Sequence, residues 1–388
     1  YTPVVVVTAL VLAFIPPLFC ESYGAGFAVW LYRALTFLVV SCPCALVISI
    51  PLSFFGGIGG AARHGILVKG ANYMDALARL GTVAFDKTGT LTKGVFEVTA
   101  IHPSDISADE LLHLAAHVER YSTHPIAVSL RTAFAHEQDG CEVSDVQEVA
   151  GKGIMAKVNG RTVCVGNGSM MDAVGAQWHQ CHRVGTVVHV AIEGVYAGHI
   201  VVSDAIKPFA AEAVSDVKRM GVGCVAMLTG DRKEVAQSVA AELGIDECRA
   251  GLLPTEKIDA FEQLASATPA GRTTAFVGDG INDAPVLARA DVGIAMGALG
   301  SDAAIEAADV VLMDDNPTKV STAIAIARRT LGIAHENVVF AIGVKVLVLL
   351  LAALGIATMW MAVFADVGVT VIAVLNAMRT LGYKGKGS

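Results

Sequence analysis

Charge is scarce in this sequence. Only 16% of its 388 residues are Asp, Glu, Lys or Arg, against 54% apolar, and the mean hydropathy is +0.58. An ordinary water-soluble domain carries about a quarter of its residues charged, so the composition argues for membrane-spanning segments. Basic runs are lacking too, and the formal net charge is −8. Both features speak against a nucleic-acid partner, which needs a concentrated positive face. Of eight cysteines only Cys42 and Cys44 stand close together. A disulfide framework is therefore not expected, and a reducing compartment suits the others. The chain opens on Tyr1 without the basic segment that begins a signal peptide, and it reads as part of a longer protein.

Four apolar stretches are candidate spans: residues 4–20, 27–50, 338–357 and 359–375. Each approaches the roughly 20 residues that a bilayer requires. They form two pairs with short links that carry no Lys or Arg, whereas Arg63, Lys69, Arg328, Arg329, Arg379, Lys384 and Lys386 flank the other ends. The positive-inside rule then places residues 51–335 and the C-terminus in the cytoplasm, with a plasma (inner) membrane as the expected location. Arg33, near the outer end of the second span, is expected to snorkel to the interface.

Between the pairs, short apolar runs end in polar loops. Thr82-Val83-Ala84-Phe85 leads into Asp86-Lys87-Thr88-Gly89-Thr90. Runs beginning at Cys224, Thr274, Val292 and Val310 lead into Thr229-Gly230-Asp231, Gly278-Asp279-Gly280, Met296-Gly297 and Asp314-Asp315. Helical patterns alternate with them, such as 233–243 closed by Gly244, and predict a doubly wound parallel sheet. Residues 96–202 read as an insertion, helical first and then rich in valine and glycine. The expected division is two membrane helices over 1–50, a linker and first part of the sheet domain over 51–95 and the insertion over 96–202. The rest of the sheet domain over 203–335, two membrane helices over 336–380 and a tail over 381–388 complete it.

A carboxylate at a strand's carboxyl end is placed for chemistry, and Asp86 there is suited to attack a phosphoryl group. Thr88, two residues on, supplies no second acid to activate water, so a phosphoaspartate would persist. DKTGTLT with the loops above resembles the P-type ATPases. The resemblance implies a haloacid-dehalogenase-like sheet with an inserted α+β nucleotide-binding domain, an α-helical transmembrane bundle, and an aspartyl-phosphate cycle driven by ATP and Mg²⁺. It makes Asp86 the nucleophile within Lys87 and Thr88, with Thr229, Gly230, Asp231, Lys257, Asn282 and Asp283 around it. Thr229-Gly230-Asp231 would hold phosphate oxygens, and Lys257 would oppose the transferring charge. Asp86, Thr88 and Asp279 would hold Mg²⁺, which prefers one or two carboxylates plus phosphate. Lys207 matches a further segment. In the insertion, Glu119, His124, Gly151 and Gly153 match the adenine site of the heavy-metal branch, and Asn167 another position of it. Thr123 stands where many relatives have Glu.

Cys42-Pro43-Cys44 lies within the second expected span. Pro43 has no N–H, so the Val39 carbonyl is expected to lose its helix partner there. Two thiols beside such a break suit Zn²⁺, Cu⁺ and heavier ions. Asp366 with Cys42 and Cys44 would make a mixed site for a divalent cation, with Lys345 as counter-ion. These resemble the Zn²⁺/Cd²⁺/Pb²⁺ subgroup, and the implied function is ATP-driven export of such an ion. Copper export is the alternative within the family, and a membrane-tethered phosphatase of the same sheet type the alternative outside it. The family's actuator domain and earlier spans are not recognised in the sequence, and they are the expected partners along with the metal ion and lipid.

Overall fold

The computed structural model describes residues 2–20, 23–134, 140–181, 185–279, 281–297, 302–353, 356 and 358–383. Gly280, Lys384, Lys386 and the end of the tail lie outside the described residues. Helix α1 (Thr2–Phe14) stops before Pro16 and Pro17, which permit only the tighter turn Pro16–Phe19. The span expected over 4–20 is therefore a 13-residue helix and a turn. In place of one span over 27–50 there are two helices, α2 (Tyr23–Val40) and α3 (Cys44–Arg63). Arg33 lies over the Trp30 ring at 4.6 Å, so its charge is also met by an aromatic face.

The break between α2 and α3 differs in detail from expectation. The Val39 carbonyl keeps a partner, the Cys42 amide at 3.3 Å, because the chain tightens by one residue there. The carbonyls of Val40 and Cys42 are instead taken up by the Lys345 ammonium, the first at 3.1 Å.

After α3 come β1 (Ile66–Val68), α4 (Ala71–Ala78) and β2 (Leu80–Asp86), the last buried at every residue. One wide turn, Lys87–Leu91, leads into β3 (Thr92–Pro103). Next are α5 (Ala108–Val118) and α6 (Pro125–Ala133), then β4 (Val143–Val149), β5 (Gly153–Val158) and β6 (Arg161–Gly166). Helix α7 (Gly168–Val174) precedes β7 (Thr186–Ile192) and β8 (Val195–Ile206). These six strands form an antiparallel sheet in the order β3-β8-β7-β6-β5-β4. Helix α5 starts where the Ser107 hydroxyl accepts the Glu110 amide at 3.1 Å, and it buries Leu111, Ala115 and Val118 on that sheet. Because β3 pairs with β8 from Thr92 to Ile206, the inserted sheet is wider than 96–202.

The chain then returns through α8 (Ala210–Arg219), β9 (Cys224–Leu228), α9 (Lys233–Leu243) and β10 (Glu247–Arg249). Gly244 closes α9 in the left-handed conformation at φ 69°. There follow α10 (Pro254–Ala267), β11 (Thr273–Gly278), α11 (Ala284–Leu287), β12 (Val292–Met296), α12 (Asp302–Ala307) and β13 (Val310–Leu312). The first sheet has the order β1-β13-β12-β11-β2-β9-β10, parallel except at β1. Two charges expected to mark the membrane surface are engaged in this domain. The Lys69 ammonium donates to the carbonyls of Ile305 and Glu306, and Arg328 to those of Ala78 and Met220.

Helix α13 (Lys319–Ala353) runs unbroken for 35 residues, and α14 (Met359–Met378) follows. Val320, Ala323, Ile324 and Ala327 of α13 are buried in the core of the parallel sheet domain, while Ala341 packs with Ala45 of α3 and Val369 of α14. Among the described residues three helical segments are long and apolar enough to cross a membrane, 23–63, 319–351 and 359–381, beside the shorter apolar stretch 3–19.

Glycines let α3 approach its neighbours. A Cβ on Gly57 would lie 2.3 Å from Thr330 Oγ1 and 3.0 Å from Met74 Cε, whereas one on Gly59 would meet only Leu381 Cδ2 at 3.4 Å. Gly57→Leu should destabilise the helix packing by about 1–3 kcal/mol or more. Gly59→Ala should leave the melting temperature in detergent unchanged, and equal losses for both would refute this packing argument.

Candidate functional site

Three neighbouring parallel strands, β11, β2 and β9, end at one edge of the sheet. Asp86 is the last residue of β2, Asp279 follows β11 and Thr229 follows β9, so topology alone brings them together. Lys257 comes from the first turn of α10. Pro254 starts that helix, and the Glu256 carboxylate accepts the Leu253 amide at 2.9 Å. The Lys257 ammonium then donates to Asp86 Oδ1 and Asp283 Oδ1, each at 2.6 Å.

Asp86, Asp279 and Asp283 each bring a carboxylate oxygen within 4.8 Å of the others. Burial, then the charge of Asp283, pushes Asp86 up to about 7 despite Lys257. Burial and Asp283 likewise push Asp279 up to about 6. Burial alone would lower Lys257, but Asp86 and Asp283 outweigh it and the group stays firmly protonated. Hard oxygen donors that crowd one another at a buried strand end fit Mg²⁺, whose charge would relieve the repulsion. The backbone makes room for this crowding at Gly89, with φ 75°, where a Cβ would sit 1.6 Å from Asp279 Oδ2.

Thr88, Thr229, Gly230, Asp231, Lys257, Asp279, Asn282 and Asp283 line one cleft with Asp86, of about 690 Å³. Lys87 does not. Its buried ammonium turns to Asp231 and, at 3.4 Å, to Asp204. It therefore ties the turn after β2 to its neighbours and is not presented to a substrate. Asp204 went unassigned from sequence, yet it also accepts the Thr92 hydroxyl at 2.5 Å and the Gly94 amide at 3.0 Å. Lys207 is buried, donates to the Gly89 carbonyl and pairs with Asp315 at 2.6 Å. The signal for Asp204 and Asp315 was only an acid at the end of an apolar run.

A second cleft, of about 360 Å³, opens on the inserted sheet and is lined by Glu119, His124, Gly151, Gly153 and Asn167. The Asn167 amide donates to the Gly151 carbonyl at 2.9 Å, and its oxygen accepts the Met170 amide at 3.2 Å. Gly153 has φ 151°, and a Cβ there would meet the Val165 carbonyl at 2.1 Å. Glu119 is buried, and burial raises its carboxyl above the usual range. Arg131 fixes the surrounding turn by donating to the carbonyls of Glu119 and Ser122 at 2.8 and 2.7 Å. Sequence reasoning missed Glu148, Lys152 and Thr186 on the same cleft.

Within the apolar helices the thiols of Cys42 and Cys44 are 2.8 Å apart. Lys345 lies 3.4 Å from Asp366 while covering the carbonyls at the break. Asp366 pairs with Lys345 and also reaches the Cys44 thiol, which itself neighbours Cys42.

Residues 80–291 match a family model described as haloacid dehalogenase-like hydrolase. A zinc-transporting ATPase of Synechocystis sp. is 55% identical over 98% of this chain and 52% of its own length. A cadmium, zinc and cobalt-transporting ATPase of Bacillus subtilis is 53% identical over 100% of this chain and 55% of its own length. The chain thus spans about half the length of these relatives. A crystal structure of a zinc-transporting PIB-type ATPase in its E2.Pi state superposes with a TM-score of 0.87 at 39% identity, covering 98% of this chain and 62% of that one.

The carboxylate pKa values carry a pH dependence. Asp86 and Asp279 are raised from 3.8, so between about 4 and 7 the folded chain holds more protons than the unfolded one and loses stability as pH rises. In chelator, the melting temperature should fall across that window, and Asp86→Asn should flatten the fall. Mg²⁺ should raise the melting temperature more at pH 8 than at pH 5. A wild-type profile that the substitution leaves unchanged would contradict the assignment.

Proposed function

This chain belongs to the haloacid dehalogenase-like hydrolases and, among them, to the heavy-metal P-type ATPases, and we propose that it exports a divalent soft-metal cation driven by ATP. Zn²⁺ and Cd²⁺ are the proposed cargo, with Pb²⁺ as a heavier ion of the same charge. The observation that carries the reading is the pairing of two sites on one chain. One is the Asp86–Lys257–Asp283 cluster at the strand ends, and the other is the Lys345–Asp366 ion pair against the Cys42-Pro43-Cys44 break.

In the proposed cycle an Asp86 oxygen forms a bond to the γ-phosphorus of ATP as the bond to the ADP oxygen breaks. Lys257 holds Asp86 at the strand end and faces the developing charge, while the Thr229 hydroxyl and the Gly230 amide receive phosphoryl oxygens. Asp86, Thr88 and Asp279 would hold Mg²⁺, which would supply positive charge against the phosphate. Thr88 stands where a phosphatase of this sheet type would carry an acid, which favours a stable phosphoaspartate over the tethered-phosphatase reading. Glu119, His124, Gly151, Gly153 and Asn167 receive the adenine end of the nucleotide. Cys42, Cys44 and Asp366 receive the cargo, and Lys345 neutralises Asp366 once the ion leaves. Copper export is not favoured, since a Cu⁺ site needs no carboxylate and the relatives above are named for zinc, cadmium and cobalt. The proposed setting is an integral protein of the plasma (inner) membrane with residues 51–335 cytoplasmic. Lipid and the remaining actuator and helical parts of a full-length pump are its partners.

The test is acid-stable phosphoenzyme formation from labelled ATP in the full-length pump, with Zn²⁺, Cd²⁺, Pb²⁺ and Cu⁺ compared. Label should require Asp86 and a divalent ion, and metal dependence should disappear in Asp366→Ala. Label supported by Cu⁺ alone would reverse the cargo assignment, and none under any ion would overturn the pump. Separately, Gly153→Val should raise the ATP concentration for half-maximal labelling about tenfold or more, the equivalent of about 1.4 kcal/mol of nucleotide binding. The label reached at saturating ATP should be kept.

A further inference from the structure

The inserted sheet carries a set of soft ligands that neither cleft uses. His102 and His199 are register partners between β3 and β8, and His199 and His189 between β8 and β7. Three imidazoles therefore stand in a row on one face, with ring centroids 4.9 and 5.7 Å apart. Cys181, from the stretch between α7 and β7, reaches the same place. One ligand atom from each of His102, Cys181 and His199 lies within 4.8 Å of the other two.

Two further observations bear on what this set is for. The Nε2 atoms of His102 and His199 are buried and have no hydrogen-bond partner among the described residues. A buried nitrogen left without a partner is costly, and metal coordination would remove that cost. The other nitrogen of His199 is engaged, its Nδ1 lying 3.0 Å from Tyr196 Oη, which in turn lies 3.0 Å from His189 Nδ1. A bond of that kind fixes the tautomer and ring plane of a ligating histidine. His179 stands edge-on to His199 at 5.4 Å, the next imidazole in reach.

We propose that His102, Cys181 and His199 form a second binding site for a soft divalent cation, Zn²⁺ or Cd²⁺, in the inserted domain. A thiolate with two imidazoles selects such ions over Mg²⁺ and Ca²⁺. Three protein ligands leave a fourth position for water or His179. The other His/Cys group of this domain, His113, His117 and Cys141, is a weaker candidate. Its imidazoles leave no buried nitrogen unpartnered among the described residues, unlike His102 and His199.

The test uses this chain with Cys42→Ala and Cys44→Ala, which removes the thiols of the transport path. Cd²⁺ is titrated, with the thiolate-to-cadmium absorption band and the metal retained after gel filtration as readouts. The band and one equivalent of cadmium should be lost on adding Cys181→Ser and on adding His102→Gln, and kept on adding Cys141→Ser. Matching metal-free melting curves show that each variant folds, and His102→Gln stands in if Cys181→Ser does not. Cadmium binding that is equal with and without Cys181 and His102, or that is lost with Cys141→Ser instead, would overturn the proposal. So would no band in the parent.

Discussion

One lysine holds apart a charge conflict on which the catalytic edge depends. Three carboxylates meet at the ends of parallel strands, two of them buried, and Lys257 is shared directly between Asp86 and Asp283. Removing either partner of such a buried group leaves an uncompensated charge, worth about 3–5 kcal/mol. The rest of the edge can be read as what keeps that arrangement from relaxing. Pro254 and Glu256 set the start of α10, Gly89 admits the Asp279 carboxylate, and Lys207 clamps the Gly89 carbonyl. The edge gathers negative charge that a bound cation would ease.

The same logic recurs among the apolar helices with the signs exchanged. Pro43 frees carbonyl oxygens, and the Lys345 ammonium answers them and Asp366 together. In a low-dielectric setting neither the open carbonyls nor the carboxylate is tolerable alone. One side chain therefore closes the break and masks the acid at once. A cation placed at Asp366 would compete with Lys345, and so would also bear on the carbonyls at the break.

Much of this was legible in the sequence. The apolar run before Asp86 and the four strands after it are buried elements of a parallel sheet, so their hydrophobic runs are unbroken and easily read. The α9 pattern with its closing Gly244 was equally plain. Other features depended on contacts that no local pattern carries. Pro43 announces a broken ladder but not which carbonyls go unmatched, because that depends on how the chain tightens at Cys42. Arg328 and Lys69 look like interfacial charges when read beside apolar runs. Their actual partners, at Ala78, Met220, Ile305 and Glu306, are far along the chain. Lys87 sits in the most recognisable motif, yet it turns toward Asp204 and Asp231. His102 and His199 are joined only by strand register, nearly a hundred residues apart.

Helix α13 is held in the sheet core at its start and by the contacts of Lys345 further on, with no interruption between them. Its first turns are fixed in the sheet core as far as Ala327, and Lys345 lies 18 positions further on, or about 27 Å at 1.5 Å per residue. A rod of that length works as a lever. Tilting the sheet domain by about 6° would carry its far end through about 3 Å, close to the whole separation of a salt-bridged pair. No chain of successive rearrangements is needed to carry the signal. The acid and the backbone break would be unmasked in a single stroke, in step with whatever turns the catalytic domain.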